Sequence, residues 1–175
     1  MVAMTKESLK KNIINISDFS IKGIQFKDIN PILSNPEAFQ SVINFVDFIK
    51  KCGATAILAP EARGFIFGAA IAYKLGIKLV LARKKGKLPG KTYKVTYYLE
   101  YGTAILEMQQ NVLSTKDKVV IIDDLIATSG TINACLNLIK QSNAQSVGIA
   151  TLISLSEFAN KHHFDNIPLL EIIKF

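Results

Sequence analysis

Val119-Val-Ile-Ile-Asp-Asp-Leu-Ile-Ala-Thr-Ser-Gly-Thr131 is the stretch from which the fold can be read. Four β-branched apolar residues in a row, Val119 to Ile122, predict a strand buried on both faces. Two carboxylates follow at once, and Ala127 to Thr131 is a loop of small and hydroxyl residues with one glycine. Ile132 to Gln141 then carries apolar side chains at 132, 135, 136 and 139, which is helical spacing. The order is strand, loop, helix. In a parallel sheet, ligands bind outside the carboxyl ends of the strands, where this loop falls. The hydroxyls of Thr128, Ser129 and Thr131 and the N–H groups of a helix start suit a phosphate. Asp123 and Asp124 cannot bind phosphate directly, but they suit the vicinal hydroxyls of a sugar or a magnesium ion. One stretch thus points to a phosphorylated sugar.

The rest of the chain supplies a setting for that loop. Its 175 residues, 49% of them hydrophobic, predict one globular domain with a substantial core. No apolar run approaches the roughly 18 residues of a membrane span, and Met1 to Lys11 lacks the apolar centre of a signal peptide. Cys52 and Cys135 are too few and too far apart for a disulfide framework or a metal-ligand pattern, and both fall on apolar helical stretches. A cytoplasmic, reducing location is expected.

Read in order, residues 1–12 predict a polar helical lead-in, and Asp18 to Ile29 a loop with short extended pieces. Asn30-Pro31 is read as a break. Ser34 or Asn35 then caps a helix that starts at Pro36 and runs to about Lys51. Thr55–Ala59 and Lys78–Ala82 are short buried strands. Between them lies a helix over about 65–75 that is rich in small residues (Gly68, Ala69, Ala70, Ala72) and so packs closely. Tyr93–Tyr101 is rich in β-formers, and Thr103–Met108 can pair back with it. After the central strand and helix come a strand at Ser146–Ile153, a polar turn or short helix at Ser156–Lys161, and a last strand at Leu169–Ile173. The fold class expected is α/β, a central parallel sheet of about five strands flanked by helices, all in one domain over residues 1–175. About 1–35 would form a small N-terminal hood and about 84–110 a flexible lid excursion.

Charge is distributed unevenly. Of the net +7, Arg83, Lys84, Lys85, Lys87, Lys91 and Lys94 supply +6 within twelve residues that hold no acid. The remainder is near neutral, which fits a small polyanion better than a nucleic acid duplex. Of 21 basic residues only Arg63 and Arg83 are arginine, and both sit in candidate site loops. The guanidinium fork binds phosphate oxygens bidentately, as lysine cannot. There is no Gly-x-x-x-x-Gly-Lys-Ser/Thr and no Gly-x-Gly-x-x-Gly, so neither a nucleotide triphosphatase nor a dinucleotide dehydrogenase is supported. His162 and His163 read as a surface pair.

Val119–Thr131 as a whole resembles the phosphoribosyl-diphosphate (PRPP) motif of type I phosphoribosyltransferases. Glu61–Phe65, Arg83–Gly90 and Leu99–Gly102 are weak alone: the first could be a salt-bridged turn, the second a solvated loop, the third an ordinary hairpin. Taken in order with the PRPP motif, Glu61–Gly68, Arg83–Gly90 and Leu99–Met108 resemble the adenine phosphoribosyltransferase family over most of the chain. Phe19–Ile29 is similar to that family's base-binding entry, with departures. The family usually has proline where Ser20 and Lys22 stand and arginine at Lys27. It commonly has a second glycine at Ser129 and a glutamate at Ser154. Ala127 stands where hypoxanthine-guanine enzymes carry an aspartate, which favours adenine.

The resemblance implies transfer of the phosphoribosyl group from PRPP to adenine, giving AMP and pyrophosphate, with magnesium and as a homodimer. It places Ala127, Thr128, Ser129, Gly130 and Thr131 on the 5′-phosphate and Asp123 and Asp124 on the ribose. Arg63, Arg83, Lys84 and Lys87 would meet the pyrophosphate. Ile24, Gln25, Phe26, Lys27 and Leu155 would meet the base, with the purine between Phe26 and Leu155, and Glu100 and Tyr101 would sit on the lid. Magnesium would be held mainly by substrate oxygens and water, with Asp123 and Asp124 as possible ligands. Two other readings stay open: transfer to another purine (xanthine, hypoxanthine or guanine), and a non-catalytic PRPP-sensing regulator. The regulator usually carries a DNA-binding domain that the first 52 residues do not resemble.

Overall fold

The computed structural model describes residues 4–19, 23, 25–43, 46–98, 102–161, 164 and 166–175. The chain divides into two compact units, Met1–Phe45 and Val46–Phe175.

In the first unit, helix α1 (Lys6–Lys11) starts at Thr5, whose hydroxyl accepts from the Ser8 N–H at 3.2 Å. Strands β1 (Ile14–Ser17) and β2 (Gln25–Asp28) pair antiparallel, from Ile14 opposite Asp28 to Ser17 opposite Gln25. The sequence reading had no strand at Ile14–Ser17. All four of its residues are exposed, so it lacks the burial alternation by which a strand is recognised. Asn30-Pro31, read as a break, instead opens helix α2 (Asn30–Ser34). A proline in the first turn loses no helical hydrogen bond, because N–H groups there have no partner within the helix. Helix α3 (Pro36–Ile43) is capped as expected: the Asn35 carboxamide oxygen accepts from Glu37 and Ala38 N–H at 3.0 and 3.1 Å. The continuation towards Lys51 is helix α4 (Val46–Lys51), in the second unit.

The second unit is built on a seven-stranded sheet. Its strands are β3 (Ala56–Pro60), β4 (Lys78–Lys84), β5 (Thr92–Tyr98), β6 (Thr103–Gln109), β7 (Lys118–Ile126), β8 (Gln145–Ser154) and β9 (Leu169–Lys174), in the order β5-β6-β4-β3-β7-β8-β9. Five of them, β4-β3-β7-β8-β9, are mutually parallel, as the sequence predicts. The hairpin β5–β6 extends the sheet antiparallel at the β4 edge. Helix α5 (Gly64–Leu75) joins β3 to β4, helix α6 (Gly130–Gln141) joins β7 to β8, and a short 3-10 helix (Ser156–Lys161) precedes β9.

The two long helices cover opposite faces, and side-chain alternation along β3 shows how. Ala56 and Leu58 join Val119, Ile121, Ile132, Cys135 and Leu138 in one core cluster on the α6 side. Ile57 and Ala59 point to α5, where a Cβ built on Gly68 would lie 2.7 Å from the Ala59 Cβ. Gly68 therefore lets the helix approach the sheet this closely. At the sheet's amino-terminal edge, buried Asp117 accepts from the Ser114 N–H at 2.8 Å, the Lys78 ammonium at 2.8 Å and the Thr55 hydroxyl at 3.3 Å. That carboxylate ties together the starts of β3, β4 and β7. The opposite, carboxyl-terminal edge carries the candidate site.

Candidate active site

β7 does not stop where its apolar run stops. Its ladder with β8 continues to Ile126 opposite Ser154, so Asp123 and Asp124 lie inside the strand and not in the loop after it. The reason is tertiary: β8 keeps offering backbone partners beyond the last β-branched residue of the run. Both carboxylates are buried, at 9% and 5% exposure. The Asp124 N–H donates to Asp123 Oδ1 at 2.8 Å, and Arg63, from the loop after β3, pairs with Asp124 Oδ2 at 2.7 Å. Burial, then the neighbouring Asp124 charge, pushes the Asp123 carboxyl well above its ordinary value. Burial also raises Asp124, against the opposing pull of Arg63. Gly64 backs the pair: a Cβ there would lie 3.0 Å from the Ile122 carbonyl and 3.1 Å from Asp123 Oδ1.

The loop from Ala127 leads straight into α6. Ser129 takes a left-handed backbone, φ 69°, and is buried. This explains why a glycine suits that position, since a Cβ is disfavoured there. Gly130 and Thr131 begin the helix. The Thr131 side chain is hydrogen-bonded to Tyr97 of β5, a residue the sequence reading did not single out.

The second cationic group comes from the ends of β3 and β4. The Glu61 N–H donates to the Ala82 carbonyl at 2.8 Å, which sets the two strand ends side by side, and the Glu61–Ala62 peptide is cis. Arg83 Nε and the Lys84 N–H both donate to Glu61 Oε2 at 3.1 Å, and Arg83 Nη1 donates to the Lys87 carbonyl at 3.1 Å. The salt-bridged turn suspected at Glu61–Phe65 is thus real, but its partner lies on the next strand. Each of the two arginines is held by a carboxylate of the site edge: Arg63 by Asp124, Arg83 by Glu61. Lys84, Lys85, Lys87 and Lys91 are exposed.

The remaining candidates are spread more widely. Gln25, Phe26 and Lys27 lie on β2 of the first unit, where Phe26 packs against Phe19 with ring centroids 4.8 Å apart and planes tilted by 44°, and Lys27 Nζ donates to Asn15 Oδ1 at 2.7 Å. Leu155 follows β8 in the second unit and donates its N–H to the Ile126 carbonyl at 3.0 Å. Ile24, Glu100, Tyr101, Ser20, Lys22, His162 and His163 lie outside the described residues. Among the described residues no cluster of three or more His, Cys, Asp or Glu side chains could cage a metal. Asp123 and Asp124 could each offer an oxygen to magnesium, a hard cation that keeps water and substrate phosphates as its other ligands. Among the described residues no helix is long and apolar enough to cross a membrane.

The phosphoribosyl transferase domain family matches residues 29–173. The adenine phosphoribosyltransferase of Mesoplasma florum is 42% identical, over 95% of this chain and 99% of that protein. The Giardia lamblia enzyme, solved with 9-deazaadenine, superposes with a TM-score of 0.92 at 33% identity, covering 99% of each chain. The Saccharomyces cerevisiae enzyme, solved with adenine and an imino-altritol bisphosphate, gives 0.89 at 33% identity, over 96% of this chain and 98% of that one. The likeness to these relatives extends over almost their full length, and the family match spans strands β3 to β8, the Ala127–Thr131 loop and the two arginines described above. The chain therefore belongs to the phosphoribosyl transferase domain family and, within it, to the adenine phosphoribosyltransferases.

Proposed function

We propose that the protein transfers the 5-phosphoribosyl group of PRPP to adenine, forming AMP and releasing pyrophosphate in purine salvage. The observation that carries the reading is the buried Asp123–Asp124 pair near the end of β7, separated only by Leu125 and Ile126 from the Ala127–Thr131 loop, with Asp124 joined to Arg63 at 2.7 Å. Cleavage at the anomeric carbon builds positive charge on the sugar and negative charge on the departing diphosphate. Fixed groups of both signs must face it. In this reading the hydroxyls and N–H groups of 127–131 hold the 5′-phosphate at the start of α6. Asp123 and Asp124 accept from the ribose hydroxyls and favour the cationic sugar. Arg63, Arg83, Lys84 and Lys87 meet the diphosphate. The two aspartates could hold magnesium, which when bound supplies Lewis acidity and a template for the diphosphate.

Base recognition is assigned to Ile24, Gln25, Phe26, Lys27 and Leu155. Glu100 and Tyr101 are assigned to a lid that excludes water. A homodimer completes the proposal. The exposed apolar side chains of Ile66 and Tyr73 on α5 and Leu79 on β4 support a second copy as the partner. The cysteine pattern supports a cytoplasmic site of action. The test is incubation with PRPP, magnesium and each nucleobase in turn, with detection of the nucleotide. AMP formed from adenine in preference to other purines is expected. Absence of any nucleotide, or a clear preference for an oxopurine, would overturn it.

A further inference from the structure

Glu107 stands in an otherwise apolar stretch of β6, Ala104-Ile-Leu-Glu-Met108, and is 2% exposed. A buried carboxylate is costly unless donors satisfy it, and this one has two. Oε2 accepts from the Gly86 N–H at 3.0 Å, and Oε1 meets the ammonium of Lys94, its cross-strand partner in register, at 3.1 Å. Burial pushes the Glu107 carboxyl up, but the bonds from Gly86 and Lys94 and the charge of Lys85 outweigh it and leave the group below its ordinary value. Gly86 has φ 76° in a turn closed by the Lys87 N–H on the Lys84 carbonyl at 3.2 Å. A type II turn needs a positive φ at that place.

Glu61 holds the other end of the same loop through Arg83 and the Lys84 N–H. Two carboxylates thus bind the Arg83–Lys87 segment partly by its own backbone N–H groups, while the side chains of Lys84, Lys85 and Lys87 stay exposed. The carboxylates are engaged by backbone N–H groups of the segment, and its lysine side chains remain exposed, where an anion can reach them.

We propose that Glu107 is a positioning residue for the transfer reaction: through Gly86 it fixes the turn that presents Lys84 and Lys87 to the substrate's diphosphate. This rests on the phosphoribosyl-transfer reading. It predicts a selective loss, because Glu107 bonds to Gly86 and Lys94, in the turn after β4 and on β5, whereas the 5′-phosphate would be held by the separate Ala127–Thr131 loop at the start of α6.

The experiment compares the whole protein with Glu107→Met and with Glu107→Met/Lys94→Met. The double variant removes both charges of the cross-strand pair and keeps the fold should the single one be unstable. Calorimetric titration with inorganic pyrophosphate and with AMP is read beside KM for PRPP and kcat with adenine. Expected are a rise of roughly fivefold or more in the pyrophosphate dissociation constant and in KM for PRPP, AMP affinity within about twofold, and a smaller change in kcat. The double variant should regain thermal stability without regaining pyrophosphate affinity, which a purely structural role would not produce. Unchanged pyrophosphate affinity in a folded variant, or parallel losses for AMP and pyrophosphate, would overturn the proposal. Failure of the unmodified protein to form any nucleotide would instead count against the transfer reading, and the pyrophosphate titration would still decide the role of Glu107.

Discussion

Replacing Gly68 by alanine tests whether the packing of α5 sets the geometry of the site. Two effects oppose each other. Alanine is the better helix former, by about 1 kcal/mol. Against that, the new methyl would lie 2.7 Å from the Ala59 Cβ and 3.4 Å from Leu79 Cδ1, whereas carbon atoms attract best at about 3.5–4.0 Å. The Ala59 Cβ is rooted in β3 and has no rotamer by which to withdraw, so helix and strand must separate by several tenths of an ångström or more. Overpacking of this kind costs about 1–3 kcal/mol, and a contact between two Cβ atoms belongs in the upper part of that range. The net expectation is destabilisation by roughly 1–2 kcal/mol, or about 3–7 °C in Tm for a chain of this size.

The same displacement reaches the chemistry. Arg63, which pairs with Asp124 at 2.7 Å, directly precedes α5, and Gly64 at the start of the helix packs on Asp123. A misplacement approaching 1 Å can cost on the order of 100-fold in rate, so kcat/KM should fall about 10- to 100-fold. Differential scanning calorimetry and AMP formation at limiting PRPP measure the two effects. An unchanged or raised Tm together with full kcat/KM would refute the reasoning, because helix propensity would then outweigh a contact that the geometry forbids.

Asp124→Asn should lower transfer at saturating PRPP by on the order of 3 kcal/mol of barrier, about 100-fold; an undiminished rate would remove the carboxylates from the mechanism. At Asp117, burial raises the carboxyl, but the bonds from Lys78 and Ser114 outweigh it, so its folded pKa lies below its unfolded one. The stability it contributes is therefore present above the unfolded value near 4 and is lost as pH falls through that value towards the folded one. Asp117→Asn should cost about 2 kcal/mol at pH 7 and flatten the fall of Tm between about pH 5 and 3; an equally steep acid profile would show that Asp117 is not its source. Ser129→Gly should be neutral to stabilising by about 1 kcal/mol, because it relieves a left-handed backbone at φ 69°; a clear loss of Tm would mean that the serine side chain matters more than its strain.

What the linear sequence determined is the part that depends on neighbours along the chain. Hydrophobic runs bounded by Gly76, Pro89 or Gly90 locate strands and helices, because burial and turn geometry act over a few residues. The aspartate pair and the Ala127–Thr131 loop stand side by side in the chain and were readable together. Tyr97 and Glu107 were not, because each acts through a residue on another element, Thr131 and Gly86; Glu61 was readable as part of a salt-bridged turn, but its partner Arg83 on the next strand was not. A glutamate in the middle of an apolar strand was the available signal for Glu107, and its partner could not be inferred from it.

The strand order β4-β3-β7 was decided only by tertiary structure. It sets Arg63 on Asp124 and Glu61 on Arg83, and it carries β7 past its apolar run to Ile126. Which strands become neighbours depends on ladder hydrogen bonds and buried faces shared by distant segments. Local hydrophobic periodicity does not contain that choice, and so the elements of this protein were legible in its sequence while the pairing of charges at its site was not.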